Sequence, residues 1–381
     1  MIILSIDTSC DETSAAVTDK TKVISNIIWS QASQHADFGG VMPSLAQRLH
    51  KERIDWVVDR ALSTAHCSLS TDIDAIAVTV GPGLAISLEV GISKAKELAQ
   101  KYNDILPALK SGVSLQRRMT YQRSIHLRSK LRSVLECCYK PIIPVNHIEA
   151  HLLSPLASPS TDHRPPTTFP ALGLVVSGGN TQLILIEKIG KYKILARTVD
   201  DALGEALDKA ARLLGLGYPG GAILEKIARV GNPDAYTLPS PLIDDKIKNR
   251  FSYSGLKTAM YRLIEKEKPL TKEKIYNLAA SFQEVAFDHI LNVLSYQINH
   301  QPLAISHFLL GGGVASNNLL RSKLRKLLRP YEITLHVPYT KKLCGDNAAM
   351  IGVCAYLKSR NAKNLNAKLK SIDREPRMKI A

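Results

Sequence analysis

Two short stretches of this chain, 170 residues apart, follow the same pattern. Ile2–Asp7 is an apolar run closed by a carboxylate, Thr8–Thr13 is polar, and Ser14–Thr18 is largely apolar again. Leu172–Val176, Ser177-Gly178-Gly179-Asn180-Thr181 and Gln182–Glu187 repeat that order. Each stretch reads as strand, polar turn, strand. Hydroxyls, glycines and backbone N–H groups in such a turn suit phosphate oxygens, though hairpin turns use the same residues for purely local reasons. Two openings of this kind predict an α/β chain made of two similar halves with a cleft between them.

The intervening sequence supplies the elements such halves need. Leu45–Ala65 places Leu45, Leu49, Ile54, Val57, Val58 and Leu62 at helical spacing, which predicts an amphipathic helix. Ile73–Val80 is a short apolar strand running into Gly81-Pro82-Gly83, with a helix over Leu88–Gln100 after it, and Ile142–Val145 is another strand. Pro155–Pro170, rich in Ser, Thr and Pro, is the best linker. Phe308–Leu310 leads into Gly311-Gly312-Gly313, a helix starts near Ser316-Asn317, and the last clear helix covers Asp346–Leu357. A length of 381 residues agrees with two domains of ordinary size. We place them at 1–154 and 170–345, with 346–381 as a terminal helix returning toward the first half plus a basic tail.

The formal net charge is +16, and it is concentrated. Residues 104–139 carry seven Lys/Arg against two Asp/Glu, 321–342 carry seven against one, and 357–381 carry eight against two. The rest of the chain is close to neutral, so these stretches are either solvated faces or a surface for a polyanion. Six scattered cysteines without a C-x-x-C pair suit a reducing compartment. The N-terminus has neither a basic n-region nor an Arg-rich transit pattern, and no apolar run reaches about 18 residues. The expectation is a cytoplasmic protein with no membrane partner.

His147-Ile148-Glu149-Ala150-His151 is the most specific short motif. On a helix turning about 100° per residue the two histidines lie about 40° apart and can share a metal, zinc or iron equally, or serve as ordinary surface or core residues. Glu149 points about 200° away from His147, unlike the base of the H-E-x-x-H metalloproteases. A third ligand could be Asp346, whose plainer role is helix N-cap. Gly81-Pro82-Gly83-Leu84-Ala85-Ile86 lacks the third glycine of a dinucleotide fingerprint, and no P-loop motif occurs. Gly311-Gly312-Gly313 is either a backbone platform for a base or ribose or a tight strand–helix turn.

Read together, these blocks resemble the TsaD family, the tRNA N6-adenosine threonylcarbamoyltransferases once labelled O-sialoglycoprotein endopeptidases. The resemblance runs through Asp7-Thr8-Ser9-Cys10-Asp11-Glu12-Thr13, His35-Ala36-Asp37-Phe38-Gly39-Gly40-Val41, Gly81-Pro82-Gly83-Leu84 and His147–His151. It continues through Val175–Gly179, Asp208-Lys209, Gly215-Leu216-Gly217-Tyr218-Pro219-Gly220-Gly221, Phe251–Lys257 and Asp346-Asn347. The Asp-Glu turn resembles the bacterial and mitochondrial branch. Against the family spacing, residues 104–139 look like an insertion of 36 residues; Ala150 stands where Gly is common and Asn180 where His is common.

The resemblance implies a duplicated actin-like, sugar-kinase-like ATPase fold. It implies one divalent metal on His147, His151 and Asp346, Fe(2+) first and Zn(2+) second. It assigns Val175, Val176, Ser177, Gly178, Gly179, Asp208, Gly221, Asn317 and, less directly, Glu225 to binding threonylcarbamoyl-AMP. Turn position and residue type make Asp11 and Glu12 the candidates for accepting the amine proton. The implied partners are tRNA, a separate synthase that makes threonylcarbamoyl-AMP, a non-catalytic paralogous subunit of TsaB type and a small ATPase of TsaE type. A metallopeptidase, a non-catalytic nucleotide-binding scaffold and, more weakly, a small-molecule kinase are the alternatives.

Overall fold

β1 (Ile2–Asp7) and β2 (Glu12–Asp19) form the N-terminal hairpin, paired antiparallel from Ile2 opposite Asp19 to Asp7 opposite Ser14. β3 (Lys22–Ser30) lies on the far side of β2, while β4 (Ala75–Gly81) and β5 (Ile142–Asn146) extend the sheet in parallel beyond β1. The order is β3-β2-β1-β4-β5. In the second sheet β6 (Ala171–Val176), β7 (Thr181–Lys188) and β8 (Lys191–Thr198) make an antiparallel meander. β9 (Arg250–Phe251) edges β8, and β10 (His307–Gly311) and β11 (Thr334–His336) run parallel beyond β6. That order is β11-β10-β6-β7-β8-β9. Apart from β9, the two sheets have the same topology, strand for strand, so the duplication read from the two hairpins is real. Our computed structural model describes residues 1–69, 71–103, 140–159, 168–217, 219–242, 248–300, 304–360 and 371–380. The expected insertion at 104–139, half of the Ser/Thr/Pro linker (160–167), Tyr218 and residues 361–370 and 381 of the basic tail lie outside them.

Among the described residues, the helices longer than four residues are, in chain order, α1 (Pro43–Ala65), α2 (Ala85–Asn103), α3 (His147–Leu153), α4 (Leu203–Leu213), α5 (Gly221–Ala228), α6 (Ser254–Glu267), α7 (Lys272–His300), α8 (Asn318–Leu328) and α9 (Ala348–Ser359). α1 buries Ala46, Leu49, His50, Ile54, Val57, Val58 and Ala61, a helical stripe in which His50 is the one polar residue. α1 packs on β2, α2 on β4, and α9 on β1, β2 and β5. Covered in this way, β1 and β4 read as continuous apolar runs rather than alternating ones.

The chain divides into two compact units. One comprises Met1–Trp29, Pro43–His147 and Asn347–Lys379; the other comprises Ser30–Met42, Ile148–Asp346 and Ile380–Ala381. The second has a core in which Phe251, Tyr253, Phe282, Phe287 and Phe308 are fully buried, each contributing about 1.5–3 kcal/mol by leaving water. No helix among the described residues is long and apolar enough to cross a membrane.

Candidate functional site

β5 ends at Asn146 and α3 begins at the next residue, so His147 and His151 sit one turn apart on a short helix. Both are buried. Nε2 of His151 lies 3.0 Å from Oδ1 of Asp346, and Nδ1 of His147 lies 3.8 Å from Oδ1 of Asp7. The expectation that α9 begins at Asp346 is corrected. Its N-cap is Asn347, in extended backbone, whose side chain accepts the Met350 N–H at 3.1 Å. With the capping duty on Asn347, Asp346 faces the histidines instead.

One ligand atom from each of His147, His151 and Asp346 lies within 4.8 Å of the others. Two imidazoles and one carboxylate are a donor set for a divalent transition metal with open positions left for substrate. Each of the three atoms belongs to a residue type that ligates such ions directly. The residues therefore fit a metal. Glu149, by contrast, is buried with Oε1 accepting the Tyr192 hydroxyl at 2.8 Å. That is the outward direction expected from its place on the helix, and it gives the peptidase reading no support.

The residues expected to hold the adenylate gather in the second unit, at the ends of the parallel strands β6 and β10. Val175 and Val176 are buried in β6, and Ser177, Gly178 and Gly179 form the turn after it. Gly204, in the first turn of α4, donates its N–H to Ser177 O at 3.2 Å. A Cβ on Gly204 would stand 2.5 Å from that same oxygen, so only glycine allows the approach. One turn further along α4, Oδ1 of Asp208 accepts the N–H groups of Gly220 (3.0 Å) and Gly221 (2.7 Å) at the start of α5. Glu225, a turn into α5, accepts Asn318 N–H at 3.1 Å and Arg229 at 2.7 Å. Asn317 caps α8, accepting from Leu319 (2.9 Å) and Leu320 (3.2 Å), and donates to Gln283 at 2.9 Å. A continuous bonded path thus joins Ser177, Asp208, Gly221, Glu225 and the start of α8. Gly311 and Gly312 are packed against the carbonyls of His151 and Val176, closer than any side chain permits. Of the two roles considered for the triple glycine, the close strand–helix turn is present.

Asp11 and Glu12 lie at the β1–β2 turn, with Glu12 opening β2. Sequence reasoning missed the residue that holds this turn. His50 of α1 donates from Nε2 to Cys10 O at 3.0 Å, and its Nδ1 lies 2.7 Å from the Thr13 hydroxyl. Because a carbonyl only accepts, Nε2 carries a proton, and Nδ1 shares the second hydrogen bond with the Thr13 hydroxyl. The signal was present as a histidine on the buried stripe of α1. Asp7 was also unassigned, although a carboxylate ending a buried strand is itself unusual.

Comparison with known proteins identifies the family. The family model described as TsaD, tRNA N6-adenosine threonylcarbamoyltransferase, matches residues 22–118 and 136–353. A tRNA N6-adenosine threonylcarbamoyltransferase of Trichlorobacter lovleyi is 41% identical over 361 residues, covering 94% of this chain and 92% of the relative. The protein of the same name from Geotalea uraniireducens is 42% identical over 355 residues, covering 93% and 90%. Among solved structures, full-length HypF in its phosphate- and nucleotide-bound form superimposes with a TM-score of 0.53 at 12% identity. That match covers 95% of this chain and 47% of HypF, and it speaks for the fold, the duplicated actin-like, sugar-kinase-like α/β architecture. By the family match over most of its length and by relatives at about two-fifths identity, the chain belongs to the TsaD family of tRNA N6-adenosine threonylcarbamoyltransferases.

Proposed function

We propose that this chain transfers the threonylcarbamoyl group from threonylcarbamoyl-AMP to N6 of the adenosine 3′ of the anticodon, position 37, in tRNAs reading codons that begin with adenine. The observation that carries the reading is the cluster of His147, His151 and Asp346 within 4.8 Å in a chain of this family. The donor is a mixed anhydride, so no covalent nucleophile on the protein is needed. The N6–carbonyl bond forms, the carbonyl–phosphate oxygen bond breaks, AMP leaves, and the amine gives up a proton.

His147, His151 and Asp346 would hold one divalent metal, a donor set that suits iron or zinc, with Fe(2+) put first by the family resemblance. Bound there, a divalent ion supplies Lewis-acid stabilisation of negative charge building on carbonyl or phosphate oxygens. The Ser177–Gly179 turn offers backbone N–H groups for the phosphate, preorganised by the contact between Gly204 and Ser177. Val175 and Val176 support that turn from within the sheet. Asp208 fixes the Gly220–Gly221 backbone, and Glu225 and Asn317 fix the start of α8, so that adenine and ribose meet a rigid surface. Asp11 or Glu12, on the turn braced by His50, takes up the amine proton. The halves 1–154 and 170–345 work as one enzyme in the cytoplasm, supplied by a separate synthase and assisted by TsaB-type and TsaE-type subunits.

The test is reconstitution. The chain, its partner subunits, the synthase, threonine, bicarbonate, ATP and a tRNA decoding an adenine-first codon should yield threonylcarbamoyladenosine on nucleoside analysis. Cleaved casein and unmodified tRNA would favour the peptidase instead.

A further inference from the structure

One hydrogen-bonded loop of the second unit presents a phenyl ring to solvent. Phe38, at the end of a 3-10 turn over Ala36–Phe38, is 58% exposed, and Met42 beyond it is 41% exposed. Loops with exposed phenyl rings are usually loosely held, but this one is pinned at several points. His35 is fully buried, with Nε2 bonded to Gln31 Oε1 at 3.1 Å and Nδ1 accepting the Met42 N–H at 3.3 Å. Gly39 closes the turn with φ +65° and returns its N–H to Ala36 O at 3.0 Å. From α4, Arg212 donates to Gly39 O at 3.1 Å.

Arg212 gives the loop its address. It follows Asp208 by four residues, so both sit on the same face of α4, about 6 Å apart along the axis. α4 itself starts at the Ser177 turn. The pinned loop therefore stands one helical turn beyond Asp208, on the helix that carries the proposed adenylate site. The loop is thereby tied to the helix of the proposed adenylate site, which the reacting adenosine must approach. Unpaired RNA bases are recognised largely by stacking on aromatic faces, and a ring already fixed in place loses little freedom when a base arrives. Asp37 beside Phe38 is acidic and exposed, so stacking rather than charge must supply the attraction at this point.

We propose that Phe38 stacks on an unpaired base flanking the target adenosine, with Arg212 and His35 as the positioning residues that hold the ring ready. The inference rests on the tRNA-modifying reading above. It is tested with the full-length chain and an anticodon stem-loop RNA carrying 2-aminopurine beside the target adenosine. Phe38→Ala and Phe38→Leu should each weaken RNA binding about tenfold and abolish the 2-aminopurine quench. Phe38→Trp should retain both, and melting curves should match wild type throughout. In steady state the loss should appear in KM for tRNA with kcat largely kept. Wild-type affinity and quench in Phe38→Leu, or in Phe38→Ala, would overturn the proposal. So would intact RNA binding together with lost association of a partner subunit, which would make the loop a protein contact. If wild type itself transfers nothing, the broader reading fails, and that result is separate from any Phe38 effect.

Discussion

Oδ1 of Asp346 lies 3.0 Å from Nε2 of His151, across 195 residues of sequence. The contact exists because Asn347, not Asp346, caps α9. Two adjacent polar residues at one helix start therefore have separable duties. Asp346→Ala should lose stoichiometric iron or zinc after dialysis while leaving thermal stability nearly unchanged. Asn347→Ala should cost about 1 kcal/mol of stability, the usual effect of removing a cap, and keep its metal. Metal analysis and melting curves on the two variants check this; the reverse pattern would return Asp346 to the role of a cap.

The β1–β2 turn depends on one imidazole. His50→Ala should lower kcat by about one to two orders of magnitude with little change in KM, because it frees the turn that carries Asp11 and Glu12 without touching substrate. His50→Gln, which can still donate to Cys10 O, should recover part of the rate. The measurement is single-turnover transfer; equal loss in both variants would mean that the imidazole does more than hold the turn.

Acid sensitivity should come in part from His289. Its Nε2 accepts the Ser252 N–H at 3.2 Å and its ring meets the edges of Phe251 and Tyr253. Burial, and then Lys248, lower its pKa from 6.5 to about 4. The neutral ring's contribution is fully present above pH 6.5 and is lost as pH falls from there toward 4, by up to about 3 kcal/mol. Denaturant unfolding at pH 7.5 and pH 4.5 should show a smaller difference for His289→Gln than for wild type. An identical difference would place the acid-labile group elsewhere.

Basic charge on α8 and just after it is divided between structural and solvent-facing residues. Arg321 bonds Ala315 O at 2.5 Å, and Lys323 pairs with Glu284 and Asp288 at 2.5 and 2.6 Å. Arg325, Lys326 and Arg329 are exposed. Replacing these three by Gln should reduce the slope of log affinity for tRNA against log salt by about 0.7–0.9 for each phosphate that is no longer neutralised. Replacing Lys323 should lower stability instead. An unchanged slope in the triple variant would make this face solvation only.

Much of the fold was legible because it depends on local pattern. Apolar runs ending in polar turns gave β1, β2, β6 and β7, and the helical stripe gave α1. β3 and β8 went unread: both are only half-buried, so their apolar residues are diluted by Lys, Ser and Asn in β3 and by Lys, Arg and Thr in β8. The metal helix was visible from His147 and His151 at one-turn spacing. Residue type alone left Asp346 between ligand and cap, the family resemblance pointed to the ligand, and the structure puts the capping duty on Asn347. His50, Arg212 and Tyr192 act through partners 40, 173 and 43 residues distant in sequence, which no local pattern encodes.

On the proposed reading this chain performs the transfer step itself, and His147, His151 and Asp346 are needed for it. The most direct measurement is transfer from preformed threonylcarbamoyl-AMP to tRNA by the metal-loaded protein with its partner subunits, read by nucleoside analysis, for wild type and Asp346→Ala. Wild type should give threonylcarbamoyladenosine and the variant at least about a hundredfold less, as expected when a catalytic metal's charge stabilisation is lost. Equal product from both, or none from wild type, would contradict it.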